Sequence, residues 1–132
     1  MLPECLSVMK AASDGTRLRI LKLLQGRELC VCQIMAVLDM SSSTVSTHLA
    51  TLRQAGLVRD AREGRWVYYS WETQHRNPYA IPLLTLLRSW LENDSQIEAD
   101  NARLQQITQM PLDELCVERG RVKLTEKEGE LL

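Results

Sequence analysis

The sequence predicts a mainly α (α+β) chain: a winged helix-turn-helix with extra N- and C-terminal dimerisation helices. Three observations predict it. Apolar residues recur at helical spacing through the first fifty positions. A turn at 39–42 opens onto Ser43 to Arg53, a stretch with one apolar side and one side of hydroxyls, imidazole and guanidinium. Two β-rich runs then flank Glu63-Gly64, a hairpin signal.

The first helix spans Leu2 to Ala12, with Leu2, Leu6 and Met9, and Cys5, Val8 and Ala12, at helical spacing. Pro3 suits its first turn. Ser13-Asp14 reads as the N-cap of a second helix through about Leu24, and Gly26 stops it. A short third helix covers Cys30 to Leu38, with Ile34, Val37 and Leu38 turned inward. Ser42 or Ser43 caps the fourth, which buries Val45, Leu49 and Leu52 and ends at Gly56. Leu57 to Arg62 and Arg65 to Trp71 form the hairpin. A long helix is expected from Pro82 to Thr108, its first half apolar on several sides, its second half polar with Ile97 and Leu104 a heptad apart. Residues 1–109 make the DNA-binding and dimerisation domain, and 110–132 a charged C-terminal tail. One more helical turn is expected at Leu112 to Val117, and the last dozen residues are read as loose.

At 132 residues the chain has the size of one domain. Nothing approaches 18 consecutive apolar residues, and no signal peptide opens the chain. The expectation is a cytoplasmic protein with no membrane partner, its four cysteines reduced thiols, metal ligands or redox sensors rather than structural disulfides. The formal net charge of −1 offers no bulk attraction to nucleic acid. Its distribution does: residues 41–71 carry four basic and two acidic groups, whereas 72–132 carry seven and eleven. The positive excess falls on the fourth helix and the hairpin.

A recognition helix offers short polar side chains to DNA on one face and docks on its own domain with the other. Ser43 to Arg53 meets both demands. Ser43, Thr44, Ser46 and Thr47 are the base-edge candidates; His48, Thr51 and Arg53 can reach a base or the backbone. At the hairpin tip Arg62 and Arg65 suit a phosphate or the minor groove. A polar face on an isolated helix is simply solvated; the tandem with a wing favours DNA. His75 reads as a surface residue.

Glu28-Leu29-Cys30-Val31-Cys32 precedes this reader by about ten residues. Two thiols one residue apart form a soft-metal ligand set. On a regular helix they would point about 200° apart, so one ion can hold both only where the backbone departs from helix. Binding there would strain the start of the third helix and the reader beside it.

Asp14-Gly15-Thr16-Arg17-Leu18-Arg19-Ile20-Leu21-Lys22-Leu23-Leu24, the Cys30-Val31-Cys32 box, Ser43-Thr44-Val45-Ser46-Thr47-His48-Leu49 with Leu52-Arg53-Gln54-Ala55-Gly56-Leu57-Val58, and Gly64-Arg65-Trp66-Val67-Tyr68-Tyr69 together resemble the arsenical-resistance (ArsR/SmtB) repressor family over roughly residues 6–72. The resemblance implies a homodimeric repressor, not an enzyme, that binds a palindromic double-stranded operator and releases it on binding metal. The Cys-X-Cys box implies As(III) or Sb(III) as inducer, with Cd(II) or Pb(II) the alternative. Two departures stand out. The family's third thiol is replaced by Met35, and the last helix has Asp94, Glu98 and Asp100 but no His, which argues against a zinc site there.

As(III) prefers three thiolates, and two are in the box. Cys5 is the first candidate for the third, reaching from the other subunit because the family's first helix packs near the partner's third helix. Cys116, folding back from the tail, is the second. The site can also be completed by solvent or a small thiol. Met35 is soft but neutral, a weak partner for As(III). Against a ligand role, Cys5 shares a register with Val8 and Ala12 and fits a packing cysteine. A redox switch is the alternative mechanism, with Cys30 and Cys32, or Cys5 and Cys116, as the oxidised pair. No basic group abuts Cys30 or Cys32 to activate a thiolate. A thiol-disulfide enzyme would carry Cys-X-X-Cys on a strand-to-helix turn, which is missing.

Overall fold

The computed structural model describes residues 1–119, so the stretch expected to be loose lies outside the described residues. Helix α1 (Leu2–Ala12) carries Pro3 in its first turn and buries Val8 and Ala11, leaving Leu2, Leu6 and Met9 exposed. Helix α2 (Gly15–Leu23) starts where Asp14 accepts the Arg17 N–H at 3.0 Å. It crosses the core with Ile20, Leu21 and Leu23.

Strand β1 (Leu29–Cys30) leads into α3 (Val31–Leu38), which ends at Asp39 in the left-handed region (φ 56°). Helix α4 (Ser42–Gln54) is capped by Ser41, one residue earlier than expected, through an N–H bond from Thr44. Its apolar side, Val45, Leu49 and Leu52, is fully buried. Gly56 turns the chain at φ 81°, where a side chain would also crowd Asn77.

Strands β2 (Val58–Glu63) and β3 (Trp66–Trp71) form the wing about Gly64. The sheet order is β1-β3-β2, antiparallel throughout. Strand β1 was not foreseen: the sequence reading began a helix at Cys30, but that residue is extended and pairs with Tyr68. Trp71 closes the wing by donating its indole N–H to Leu21 O at 2.7 Å, satisfying a carbonyl near the end of α2.

The long C-terminal helix is corrected. It is two helices, α5 (Ala80–Leu87) and α6 (Ser95–Ile107). Leu91 takes a left-handed conformation (φ 62°), and Asp94 caps α6 by accepting from the N–H groups of Gln96 and Ile97. Asp100 is buried and receives both Nε and Nη2 of Arg19 at 2.9 Å. This pair ties α6 to α2, and Arg103 ties it to α3 through Ala36 O. Helix α7 (Leu112–Arg119) is longer than the single turn expected and returns to α3, burying Leu115 and Cys116.

Candidate functional site

The strand-to-helix step at Cys30 answers the geometric problem of two thiols one residue apart. Cys30 is the extended N-cap of α3 (φ −85°, ψ 161°), and Cys32 lies within the helix. Gln33 holds the junction, its Oε1 accepting the Cys30 N–H at 2.9 Å. Freed from helical spacing, both sulfurs reach the same place, and α7 brings Cys116 to it. The sulfurs of Cys30, Cys32 and Cys116 lie within 4.8 Å of one another, all three residues buried. Cys32 and Cys116 are joined as a disulfide, with Cα atoms 5.6 Å apart, and Cys30 is free. The pairing is neither of the two expected from the sequence, because Cys30 stands in the strand while Cys32 faces α7.

Cys5, the first candidate for a third ligand, lies half-buried on α1 outside this group. Met35 is fully buried in the core. Burial pushes the Cys30 thiol above its ordinary pKa, while the N–H groups of Gln33 and Cys32 pull it the other way. Thiolate bonds to a metal of about 2.3 Å put two bound sulfurs at most about 4.6 Å apart. The spacing of the three sulfurs is close to that span. The donor set is all sulfur, which suits a soft, thiophilic ion. The disulfide occupies two of these three sulfurs.

The second face is that of α4 and the wing. Ser43, Thr44, Ser46, Thr47 and Arg53 are exposed, and His48 and Thr51 half-exposed. Thr47 and Thr51 donate their hydroxyls to the carbonyls of Ser43 (2.9 Å) and Thr47 (3.2 Å), so each presents an oxygen acceptor and a methyl outward. His48 Nδ1 meets Arg17 Nη1 at 3.2 Å, leaving its Nε2 edge. Arg17 also donates to the carbonyls of Ala11 and Lys10 at the end of α1. Arg53 lies 3.8 Å from Asp60, at the base of the wing. Arg62 and Arg65 are exposed at its tip. Arg65 stacks over Trp66, 4.9 Å from the ring centroid, and pairs with Asp113 of α7.

Sequence reasoning missed Asp113, Gln33 and the rung from Cys30 to Tyr68. Gln33 carries a local signal, standing at the third helical position after the cap. Asp113 and Tyr68 reach the site through tertiary contacts that no short-range pattern announces. His75 is exposed, as read.

The chain is similar to known proteins. The sequence model described as "Bacterial regulatory protein, arsR family" matches residues 14–60. An arsenic resistance transcriptional regulator, ArsR2 of Pseudomonas putida, is 40% identical over 114 residues, covering 83% of this chain and 94% of that protein. The arsenical resistance operon repressor of Escherichia coli is 45% identical over 65 residues, 48% of this chain and 56% of that one. A homodimeric winged helix-turn-helix DNA-binding domain from Mycobacterium bovis superposes with a TM-score of 0.57 at 33% identity, covering 66% of this chain and 77% of that one.

Proposed function

The chain belongs to the arsR family of bacterial regulatory proteins, and from that premise we propose that As(III) or Sb(III), held by Cys30, Cys32 and Cys116, releases it from operator DNA. It is a metal-responsive transcriptional repressor, not an enzyme, and it binds DNA as a homodimer. Among the described residues no helix is long and apolar enough to cross a membrane. The exposed apolar residues Leu2, Leu6 and Met9 of α1, with Leu86 on α5 and Trp90 and Leu91 after it, suit a surface that a second copy covers.

The observation that carries the inducer reading is the convergence of three buried sulfurs within 4.8 Å. Three thiolates suit As(III) and Sb(III); Cd(II) and Pb(II) accept the same set with a further ligand from solvent. Ser43, Thr44, Ser46, Thr47, His48, Thr51 and Arg53 read the DNA, with Arg62 and Arg65 on phosphates. A two-fold dimer pairs two such readers, which calls for a palindromic operator. Closing an ion on Cys30 and Cys32 acts on the cap of α3, and α3 packs on α4.

The test is operator binding by fluorescence anisotropy under reducing conditions, titrated with arsenite, antimonite, cadmium and zinc. Arsenite is expected to release the parent chain but neither Cys32→Ser nor Cys116→Ser, and to release Cys5→Ser normally. Release that survives Cys116→Ser and fails in Cys5→Ser would move the third ligand to the partner subunit. Tight DNA binding with no response to any metal would overturn the inducer reading. A second reading, a thiol redox switch, is favoured by one observation, the Cys32–Cys116 disulfide; release by peroxide without release by arsenite would select it.

A further inference from the structure

We propose that α7 is a latch on the wing: when Cys116 is engaged by the thiol site, Asp113 holds Arg65 away from DNA phosphate. This rests on the reading of Cys30, Cys32 and Cys116 as the inducer site and assigns its regulation to a contact outside that site.

Two residues of α7 reach two different places. Cys116 is buried against α3 beside Cys30 and Cys32. Asp113, three positions earlier and therefore on a neighbouring part of the same helical face, accepts a hydrogen bond from Arg65 Nη2 through its Oδ1. Arg65 stands beside Gly64 at the hairpin tip. Its side chain retains 62% of its exposure, so the contact is with the carboxylate and not with a packed wall.

An exposed ion pair of this kind contributes little to folding. Its effect on DNA binding is of another sort. Arg65 neutralises a phosphate, and releases a counterion, only when its charge is not already matched. A carboxylate held at the same place both matches that charge and repels phosphate. What holds the carboxylate there is the seating of α7. Eight residues do not sustain a helix in water, and among the described side chains of α7 it is Leu115 and Cys116 that are buried. Joining Cys116 to the other sulfurs through an ion stabilises that seating, and the wing loses a phosphate contact as the site fills.

The experiment compares the parent full-length chain with Asp113→Asn, which keeps the shape of the side chain and removes its charge. Operator affinity and its salt dependence are measured with and without arsenite, under reducing conditions. The expected result is an arsenite-free affinity within about twofold of the parent and an arsenite-loaded affinity about three- to tenfold tighter than the parent's. The loaded variant's slope of log affinity against log salt steepens by about one, the signature of one recovered phosphate contact. Arsenite affinity in the absence of DNA is unchanged.

A parent that releases DNA, beside a variant with the same affinity ratio and slope, overturns the latch and leaves the inducer site intact. A parent that does not respond to arsenite overturns the inducer site, and a second arm then decides the latch. Diamide takes up the two hydrogens lost as Cys32 and Cys116 form their disulfide, which seats α7 without metal; the linkage is verified by peptide mapping. Tighter operator binding by oxidised Asp113→Asn than by the oxidised parent supports the latch, and equal binding overturns it.

Discussion

Cys30 pairs with Tyr68 across the sheet, so a candidate metal ligand sits on the strand that joins the wing. The same residue caps α3. One sulfur thus stands at the junction of the two parts that meet DNA: the wing through β3, and the reader through α3 and α4. On the proposed site, a shift of the Cys30 backbone on ion binding would reach both without any long relay.

The burial that raises the Cys30 pKa predicts how the two classes of inducer differ with pH. Cd(II) displaces a thiol proton into solvent for each sulfur it binds, and the raised pKa keeps the Cys30 thiol protonated at neutral pH. Cadmium affinity therefore rises with pH, by about tenfold per unit for each proton released. Arsenite enters as the neutral trihydroxide, and each thiol proton leaves with a hydroxide as water, so its affinity stays nearly flat. Titrations between pH 6 and pH 8 check this, and Cys30→Ser lowers the cadmium slope by one proton.

On the proposed site, oxidation and metal compete for the same sulfurs. Chain carrying the Cys32–Cys116 disulfide is expected to bind no arsenite at this site, and reduction with dithiothreitol to restore binding in full. Arsenite uptake undiminished by the disulfide would place the ion elsewhere.

The Arg19–Asp100 pair is the principal polar tie between α2 and α6. The Asp100 side chain is 5% exposed and that of Arg19 23%. Asp100→Ala leaves a largely covered guanidinium, and the Gln96 amide, without their acceptor. The expected loss is about 3 kcal/mol, read from urea unfolding at matched protein concentrations because dimerisation contributes to stability. Asp100→Asn keeps an acceptor and loses less.

Helices α1 to α4 and the wing were legible because their signals are local: Asp14 before a helical run, hydroxyls opposite Val45, Leu49 and Leu52, and Gly64 between two β-rich runs. The split between α5 and α6 had a local signal too, in Asn93-Asp94-Ser95. It was outweighed by an apolar run ending at Leu91 and by the heptad spacing of Ile97 and Leu104. The candidate metal site was half legible. Cys30 and Cys32 announce themselves by spacing, but Cys116 lies 84 residues from Cys32 and joins it only through the return of α7. Strand β1 is two residues long, and its identity depends on a partner strand that follows the whole reader.

The contact between Arg17 and His48 yields the last prediction. Arg17 is half-buried and fixes three things at once: two carbonyls at the end of α1 and one ring nitrogen on α4. With the guanidinium donating to Nδ1, His48 carries its proton on Nε2 and presents that N–H outward as a donor. Arg17→Met keeps the length and apolar stem of the side chain and removes all three bonds. The ring then rotates freely and takes either tautomer, so DNA contact must first order it. One lost hydrogen bond to a charged donor corresponds to about 1.5 kcal/mol, or roughly a tenfold weaker operator affinity. The salt slope is expected to stay unchanged, because Arg17 points inward and no phosphate contact is lost. Anisotropy titrations at several salt concentrations separate the outcomes: a parallel, weaker line supports His48 as an oriented donor to DNA, whereas a shallower slope would make Arg17 itself the phosphate contact.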